Sequence, residues 1–535
     1  MKTNLTILVL FLSATMLFAQ DKEVKKQIKA KFEEANYYYQ YDNFHLALPV
    51  LLDILKLDST NIDAIYKTAI CTYNTKRNKQ ESYKYFEKAQ LEFKESYFYL
   101  GLLNHDNELF DNALDYLIKY KNWDGIKKYS NDEVDYYMNK CVYAKEMMFS
   151  KINVNFQVLG DSINTEYLDY ATVLLPDESL MYFTSRRSGG TSDLKDPLGE
   201  YYEDIYVSHN KLGKWSAPTL LTAPINTTLH DACVTITSDG QELYIYRTNA
   251  DLSGGDIYLS KNIEGTWSEP EKIKSDINFK NSWTPSASIS PDNNYIYISS
   301  NREGGFGGKD IYRVTKLPNG DWSLAENLGS AINTPYDEDA PFIHPDGKTL
   351  FFSSKGHRGM GNYDIFKSIL NEDGTWTAPE NIGYPLNSVR DDIYYVATPD
   401  GKRGYFSSNR KGGVGETDIY SVDLLDNPAN YILLRGTVST NDPVFAPVKA
   451  TISIIDYQTK ELQGIYRTNA ENGKYLMVLL PKRKYKMVVE SEGFFSVVDE
   501  IDMTKKLRIE DIFKNVTLQR LKTEEPKEAP VNDNE

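Results

Sequence analysis

Residues that could bind a metal or carry out covalent catalysis are scarce in this sequence. Its 535 residues include three cysteines and six histidines, and no Cys-x-x-Cys, His-Glu-x-x-His or Gly-x-Ser-x-Gly motif occurs. Three scattered cysteines in a chain of this length exclude a disulfide-stabilised scaffold. We expect Cys71, Cys141 and Cys233 to be buried free thiols, with a pair between Cys71 and Cys141 as the alternative. The sequence therefore predicts no metal, no cofactor and no catalytic residue.

Positively charged residues are also fewer than negatively charged ones. Lys and Arg number 60 against 76 Asp and Glu, which gives a formal net charge of −16. Nucleic acids and anionic lipid surfaces bind proteins through basic patches, so neither is expected as a partner. The surplus of carboxylates favours solubility, and a basic protein partner is the alternative.

Long apolar runs are missing after the first residues. Lys2 precedes an apolar stretch from Leu5 to Phe18, and Ala19 follows it. A positive residue, a short apolar core and a small residue describe a secretory signal peptide, which we place at residues 1–20. No later segment has about 20 consecutive apolar residues, so no membrane span is expected after cleavage.

Glycine and proline are nearly absent from residues 22–150, where apolar residues recur every three or four positions and predict helices. A pattern of small and aromatic residues returns after two periods of about 34 residues. Its first copy has Ala35, Phe44 and Ala47, and its last copy has Gly101, Phe110 and Ala113. This pattern resembles the tetratricopeptide repeat, which implies stacked helical hairpins with a concave face.

The resemblance to tetratricopeptide repeats also implies a binding surface. It places Tyr39, Tyr73 and His105 at the same position of successive first helices, where this family binds partner peptides. The alternative is that the three side chains pack inside the repeats.

Residues 151–424 are rich in short strands and turns. The motif Asp-Ile-Tyr, with Phe for Tyr in one copy, recurs every 52 to 54 residues, at Asp204, Asp256, Asp310, Asp364 and Asp418. A tryptophan follows the first four copies, at Trp215, Trp267, Trp322 and Trp376. Each unit holds about four strands separated by turns, which predicts one blade of a β-propeller.

The fifth copy of the repeat lacks its tryptophan strand. We expect residues 151–158 to supply the missing strand and to close the ring, since closure removes an open sheet edge. Five blades are predicted, and six would follow if the residues between Asp193 and Tyr202 hold further structure. The region resembles the WD40-like propeller repeats of the TolB type.

Carboxylates recur at two places in each predicted blade. Because the aspartate of Asp-Ile-Tyr is present in every copy, we interpret it as a structural hydrogen-bond acceptor and not as a ligand. A second set stands just before the innermost strands, at Asp169, Asp231, Asp337 with Asp339, and Asp391 with Asp392. Equivalent positions on a ring would converge at one mouth of the channel, where they could hold a cation or a basic peptide. Turn capping is the alternative.

Residues 431–520 contain strands of alternating polarity, such as Ala450–Ile455 and Tyr485–Val489, with a turn at Asn472-Gly473 between them. This segment resembles the carboxypeptidase regulatory-like domain, a small transthyretin-like β-sandwich. Residues 522–535 are acidic and contain proline, and we expect them to be disordered.

The order of these segments resembles the multidomain envelope proteins of Bacteroidetes, which include the PorE family of type IX secretion components. The resemblance implies a protein of the periplasm or the periplasmic face of the outer membrane, with envelope, secretion-machine or outer-membrane proteins as partners. In that family an OmpA-like domain follows the sandwich, whereas this sequence ends at Glu535, so we expect no peptidoglycan-binding domain.

Taken together, these patterns favour a non-enzymatic scaffold that binds other proteins. One alternative is a propeller that binds a ligand or a cation, for example a glycan or calcium. A propeller hydrolase is the third possibility.

Overall fold

A computed structural model describes residues 22–75, 78–196, 199–426, 431–442, 444, 446–469, 472–504 and 511–521. The predicted signal peptide at 1–20 and the predicted disordered tail at 522–535 lie outside these residues. The chain divides into two compact units, Met1–Ser150 with Leu194–Tyr201, and Lys151–Asp193 with Tyr202–Glu535. Within the described ranges, none of the helices combines the length and the apolar composition that crossing a membrane requires.

The first unit is helical, as the spacing of its apolar residues predicts. Its described residues form seven α-helices: α1 (22–40), α2 (Phe44–Leu57), α3 (Ile62–Thr75), α4 (Tyr83–Ala89), α5 (Ser96–His105), α6 (Phe110–Lys121) and α7 (Asn131–Phe149). Helix α5 packs against α6, and a Cβ atom on Gly101 would lie 2.7 Å from the Leu117 side chain. These two helices therefore approach closely because residue 101 has no side chain.

The second unit begins with five antiparallel sheets among its described residues. The first strand, β1 (Val154–Val158), is followed by β2 (Asp169–Leu174), β3 (Leu180–Ser185), β4 (Asp204–Lys211), β5 (Lys214–Trp215) and β6 (Thr219–Leu220) of the first sheet. The second sheet contains β7 (Asp231–Ile236), β8 (Glu242–Thr248), β9 (Gly255–Ile263), β10 (Thr266–Trp267) and β11 (Glu271–Lys272).

The remaining three sheets follow the same order of strands. The third contains β12 (Ser286–Ile289), β13 (Tyr295–Ser300), β14 (Asp310–Thr315) and β15 (Glu326–Asn327). The fourth contains β16 (Glu338–Ile343), β17 (Thr349–Ser354), β18 (Asp364–Ile369) and β19 (Glu380–Asn381). The fifth contains β20 (Asp392–Ala397), β21 (Arg403–Ser408) and β22 (Asp418–Leu424).

The sheets are arranged in a closed ring. The innermost strands β2, β7, β12, β16 and β20 pack against one another in that order, and β20 packs against β2. Strand β1 pairs with β22, from Val154 opposite Leu424 to Val158 opposite Tyr420. The second unit therefore contains a β-propeller, and the predicted closing strand is confirmed.

An asparagine, buried in four of the five copies, fastens each sheet of the ring, a feature that the sequence analysis missed. Its side-chain oxygen accepts the N–H of the isoleucine in an Asp-Ile-Tyr or Asp-Ile-Phe motif, and its amide nitrogen donates to the C=O of that isoleucine. The five asparagines are Asn164, Asn226, Asn278, Asn333 and Asn387. The first of them, Asn164, bonds to Ile419 of the last sheet, so it also joins the two ends of the ring.

The aspartates of the repeated motif have structural contacts. The carboxylate of Asp310 accepts the N–H groups of Phe306 at 2.5 Å and Gly307 at 3.1 Å. A Cβ atom on Gly305 would lie 2.6 Å from this carboxylate, which explains the glycine cluster before the strand. Asp204, Asp364 and Asp418 likewise accept the N–H groups of Thr191, Gly361 and Gly415. The remaining copy, Asp256, pairs with Lys272.

The repeated tryptophans join neighbouring sheets. Trp267 of the second sheet meets Tyr182 of the first edge-on, with 6.3 Å between ring centroids. The same contact links Trp215 to Tyr405 at 6.0 Å and Trp376 to Tyr297 at 6.0 Å. Because such aromatic pairs add to the free energy of burial, they help to hold the ring together.

The last module consists of two further sheets packed face to face. Their strands are β23 (Ile432–Thr440), β24 (Thr451–Asp456), β25 (Leu462–Arg467), β26 (Lys474–Leu479), β27 (Lys484–Glu490), β28 (Val497–Asp502), β29 (Asp511–Phe513) and β30 (Val516–Leu518). One sheet has the order β26-β23-β29, with β30 also paired to β23, and the other has the order β25-β24-β27-β28. Ile452, Met477 and Met487 lie in the shared core, which gives a small β-sandwich.

The three cysteines are buried and free, as predicted. Burial raises the pKa of the Cys71 and Cys141 thiols to about 12 in each case. Neither thiol is therefore an activated nucleophile at neutral pH.

Candidate functional site

The predicted acidic ring is not a ring of equivalent ligands. Asp169 and Asp231 are fully buried and lie at corresponding places in the first two sheets. Each accepts the N–H of the threonine four residues earlier at 2.6 Å. Arg187 Nη2 lies 2.6 Å from Asp169, and Arg247 Nε lies 2.5 Å from Asp231. These carboxylates cap turns, which was the alternative interpretation.

The other members of the predicted ring are Asp337 with Asp339 and Asp391 with Asp392. The turn-capping position in their sheets belongs to Glu338, which was not predicted, and to Asp392; these two accept the N–H groups of Thr334 and Ser388. Asp339 pairs with Lys309. Asp337 instead pairs with Lys355 at 2.8 Å. Asp391 accepts hydrogen bonds from the amides of Asn362 at 2.8 Å and Asn409 at 3.1 Å.

The three residues predicted to form a peptide-binding face of the helical unit contact neighbouring helices. Tyr39 is half-buried and lies edge-on to Phe44 at 5.5 Å. Tyr73 is also half-buried and meets Tyr99 at 5.1 Å. His105 is buried against Phe110, with 5.6 Å between ring centroids. Each residue takes part in packing, and their use by a partner stays a prediction.

The structure brings Asp339 of the predicted ring together with several side chains that were not predicted, at the mouth of the propeller channel where the innermost strands begin. Most of them occupy two positions of the repeat whose residue type changes from copy to copy. One position directly precedes the motif aspartate and holds Glu203, Gly255, Lys309, Tyr363 and Thr417. The other directly follows the turn-capping residue and holds Tyr170, Ala232, Pro285, Asp339 and Ile393.

We call six of these side chains the mouth cluster. It consists of Tyr170, Glu203, Lys309, Asp339 and Tyr363, which occupy the two variable positions, and Tyr394, which lies one residue further along β20. The residue type at these two positions differs between the copies of the repeat, whereas the motifs that predict the propeller consist of residues that the copies share.

One side of the mouth cluster is built around Glu203. The hydroxyl of Tyr170 donates to the Glu203 carboxylate, and Nδ1 of His230 lies 3.3 Å from its other oxygen. The His230 ring stacks on Tyr202 at 4.2 Å. Burial tends to raise the pKa of Glu203, but the contacts with His230 and Tyr170 and the charge of Arg186 hold that pKa below its usual value. Glu203 is therefore an anion at neutral pH and acts as a hydrogen-bond acceptor.

The other side of the cluster is built around Asp339 and Lys309. Their carboxylate and ammonium groups form a buried ion pair, and Ser286 Oγ donates to Asp339 at 2.5 Å. The Lys309 ammonium also lies 5.0 Å from the ring centroid of Trp283 and 5.6 Å from that of Tyr363. A charge pair held in this way is fixed in position and resists displacement by water.

Tyr394 stands between these two sides. Burial raises its pKa well above the usual value, and the charges of Asp339 and Glu203 add to the effect, so its hydroxyl stays protonated. Its ring lies 5.8 Å from that of Tyr170. The backbone φ of Tyr394 is +58°, at a β-bulge between Ile393 and Val396.

A bulky residue in the left-handed region is uncommon, and a bulge of this kind redirects a side chain. The bulges of β2 and β16 also carry left-handed residues, at Ala171 and Ala340, but those have small side chains. Among these three bulges, the one at Tyr394 places a large polar ring at the mouth.

The channel beneath the cluster is narrow and mostly apolar. Its cavity has a volume of about 100 Å³ and is lined by Tyr394 and by residues such as Ile236, Ile289 and Ile343. Small-molecule sites in proteins usually measure roughly 300–1,000 Å³. The channel can therefore hold a few waters or one small group, and a larger ligand would rest on the mouth cluster above it.

The carboxylates at the mouth lie close to positive charge. Asp339 pairs with Lys309, Asp337 pairs with Lys355, and the charge of Arg186 acts on Glu203. Over the part of the chain that the structure describes, no group of three or more His, Cys, Asp or Glu side chains has the arrangement of a metal site.

Comparison with known proteins gives a likeness of fold only. No protein-family model and no curated protein sequence matches this chain. A gluconolactonase of Xanthomonas campestris has 12% sequence identity, covers 52% of this chain and 92% of its own, and gives a TM-score of 0.29. An alpha-L-arabinofuranosidase from Lactobacillus brevis has 12% identity, covers 50% of this chain and 94% of its own, and gives a TM-score of 0.35.

A third solved structure matches a shorter part of the chain. It is the 3-chlorocatechol 1,2-dioxygenase from Rhodococcus opacus, with 14% identity, coverage of 18% of this chain and 62% of its own, and a TM-score of 0.14. This chain thus spans less than two thirds of that enzyme. All three similar structures are enzymes by name. The prediction that this protein is not an enzyme is therefore corrected, because the modules it contains give no ground for excluding catalysis.

Proposed function

We propose that the propeller binds a small, neutral, polyhydroxylated ligand, such as a sugar unit, at the mouth cluster. The observation that carries the proposal is the placement of Tyr394. Its left-handed backbone and bulge set a protonated phenol between two fixed carboxylates. Residues held in rarely populated backbone conformations cluster at functional sites, and the equivalent copies of the repeat carry small side chains at this place.

The charge balance favours a neutral ligand over a cation. The carboxylates of Asp337 and Asp339 each pair with a lysine, and that of Glu203 accepts a hydrogen bond from Tyr170 and lies in the field of the Arg186 charge. An ion would have to displace these contacts, and breaking one member out of a buried pair costs several kcal/mol. A neutral ligand can instead use the free hydrogen-bonding capacity of the carboxylate oxygens, each of which has two lone pairs.

The aromatic side chains favour a ligand with flat, partly apolar faces. Tyr170, Tyr363 and Tyr394 are half-buried, and Trp283 is 45% exposed. Small-molecule sites combine such rings with a few placed polar groups that fix orientation. Sugar rings present both kinds of surface, since their C–H faces are apolar and their rims carry hydroxyls.

Titration calorimetry of the whole chain with a panel of neutral mono- and oligosaccharides tests this proposal. We expect binding by the unmodified protein, and a loss of about tenfold or more in affinity in Glu203→Gln or Tyr394→Phe. A hydrogen bond to a charged group contributes about 1.5–3 kcal/mol, and 1.4 kcal/mol corresponds to tenfold in affinity.

The matched control is Tyr457→Phe, which alters a tyrosine of the sandwich that is 40% exposed, and its affinity should equal that of the unmodified protein. Absence of binding across the panel, or equal losses in Tyr394→Phe and Tyr457→Phe, would contradict the proposal. Product analysis of the same mixtures shows whether binding leads to hydrolysis.

The predictions from the sequence about blade number, export and partners are compatible with this proposal, but the calorimetry does not test them. We propose that the five sheets are the complete ring of a five-bladed propeller and that the protein is exported to the cell envelope. Contact of the helical unit with envelope or secretion-machine proteins stays a prediction, as does the resemblance to PorE-type proteins. A chain that contains a ligand-binding propeller and a helical-repeat unit is compatible with such protein contacts and with the resemblance to PorE-type proteins.

A further inference from the structure

The β-sandwich meets the propeller at the end of the channel opposite the mouth, where the innermost strands finish in Pro-Asp and Ser-Asp turns. The hydroxyl of Tyr431 donates to Asp346 at 2.6 Å, and its ring stacks on His344 at 5.4 Å. Further round the ring, the amide of Asn469 lies close to Gly240. These contacts hold two modules of the same compact unit together.

A cavity of about 340 Å³ lies at this junction. Its propeller wall includes Leu175, Pro176 and Asp177, and its sandwich wall includes strands β23, β25 and β26. The volume falls within the range of small-molecule sites and is more than three times that of the channel cavity. Leu175 and Pro176 line both cavities, so the two spaces share a wall.

The lining of the junction cavity is basic in a chain that is acidic as a whole. Arg435, Arg467 and Lys474 line it, and Asp177 is the carboxylate among its lining residues. One oxygen of Asp177 already accepts the N–H of Ser179 at 3.0 Å and its hydroxyl at 2.5 Å. Among the described residues that line the cavity, cations therefore outnumber carboxylates, whereas the whole sequence has a net charge of −16.

Two of the three cations have no structural partner. Arg467 and Lys474 are exposed, and neither forms an ion pair with any of the described residues. Asn515, which also lines the cavity, accepts the N–H of Thr437 with its side-chain oxygen at 3.0 Å. That contact leaves the amide NH₂ of Asn515 as a donor, so the cavity offers positive charge together with hydrogen-bond donors.

We infer that this junction cavity binds a small multivalent anion, such as a phosphorylated or polycarboxylated metabolite. Guanidinium groups match the geometry of phosphate and carboxylate oxygens, and two unpaired cations on neighbouring strands favour a ligand with more than one negative charge. The inference is independent of the mouth cluster, which lies at the other end of the channel. A bound anion would touch both modules and would stabilise their junction.

Calorimetry of the whole chain with inorganic pyrophosphate and with citrate tests the inference. At low ionic strength we expect binding of at least one of these anions. The double variant Arg467→Gln/Lys474→Gln should lose about tenfold or more in affinity, since charged hydrogen bonds are lost. Raising the salt concentration should weaken binding by the unmodified protein, because exposed charges are screened.

The control is Lys449→Gln/Lys486→Gln, which removes two exposed charges of the same sandwich outside the cavity. Its affinity for the anion should stay within about twofold of the unmodified value, as should that of Tyr394→Phe. No binding of either anion by the unmodified protein would overturn the inference. So would equal losses in the two double variants, since these would indicate unspecific attraction. Thermal melting confirms that all variants are folded.

Discussion

Replacing Asn164 by alanine tests how the propeller ring is closed. The Asn164 side chain is buried, with 1% relative exposure. Its oxygen accepts the N–H of Ile419 at 2.8 Å, and its amide donates to the C=O of Leu159 at 2.5 Å and of Ile419 at 3.0 Å. The two bonds to Ile419 connect residues 255 positions apart, one before the first sheet and one in the last.

The expected loss of stability follows from the groups that alanine would leave without a partner. The C=O of Ile419 also accepts the N–H of Leu159 at 3.1 Å, so it keeps a hydrogen bond. The N–H of Ile419 and the C=O of Leu159 lose the partner that Asn164 supplies. A buried polar group without a partner costs about 1–3 kcal/mol, so we expect Asn164→Ala to lower the free energy of unfolding by about 3 kcal/mol.

Urea denaturation followed by tryptophan fluorescence measures this change, because five of the six tryptophans belong to the propeller segment. Asn155→Ala is the control. Asn155 lies on the closing strand β1 but is exposed, and surface substitutions usually change stability by less than about 0.5 kcal/mol. A loss below about 1 kcal/mol in Asn164→Ala would refute the argument that this side chain fastens the ring.

Two further predictions concern the framework of the second unit. Gly305→Ala should lower the midpoint of urea unfolding, because its Cβ atom would lie 2.6 Å from the carboxylate of Asp310. Gly304→Ala is not a suitable control, because Gly304 has a φ of +87° and alanine would be strained there. An unchanged midpoint in Gly305→Ala would contradict the role given to the glycine loop. Burial tends to raise the pKa of Asp346, but the contact of its carboxylate with His344 and the hydrogen bond from Tyr431 hold that pKa well below its usual value of 3.8. The ionised Asp346 therefore stabilises the fold above that value, and the stabilisation is lost as the pH falls further. The difference in unfolding free energy between the unmodified protein and Asp346→Asn should be largest near neutral pH and shrink below pH 4, and a difference that is constant with pH would show that Asp346 is not held in this way.

The framework was largely predictable because its residues recur. Asp310 and three of its counterparts accept the N–H groups of the loop before their strand, and Asp256 pairs with Lys272, so an aspartate appears once in every copy of the repeat. The closing strand at 154–158 could be expected because a sheet edge without a partner is unfavourable. The five asparagines recur as well, but one polar residue in a loop carries no strong signal until its bonds to the following strand are seen.

The predicted acidic ring did not distinguish turn-capping carboxylates from their neighbours. Asp337 stands beside Glu338 and Asp391 beside Asp392 in the sequence, and the pattern alone does not show which carboxylate of each pair faces the turn. A shift of one residue along a strand moves a side chain to the other face. The N–H groups of Thr334 and Ser388 donate to Glu338 and Asp392, which identifies these two carboxylates as the turn caps.

A repeat protein separates structural positions from functional ones in a way that a single-copy fold does not. Every sheet of the ring carries the same asparagine and the same motif aspartate, so these positions are uniform. A ligand at the axis can contact several sheets but meets each from a different side, so the residues that bind it need not match. Glu203, Lys309 and Tyr363 occupy one position of the repeat and offer a carboxylate, an ammonium group and a phenol. A position that faces the channel and changes residue type between copies, while the neighbouring motif positions stay the same, is therefore the sequence signal for the mouth cluster.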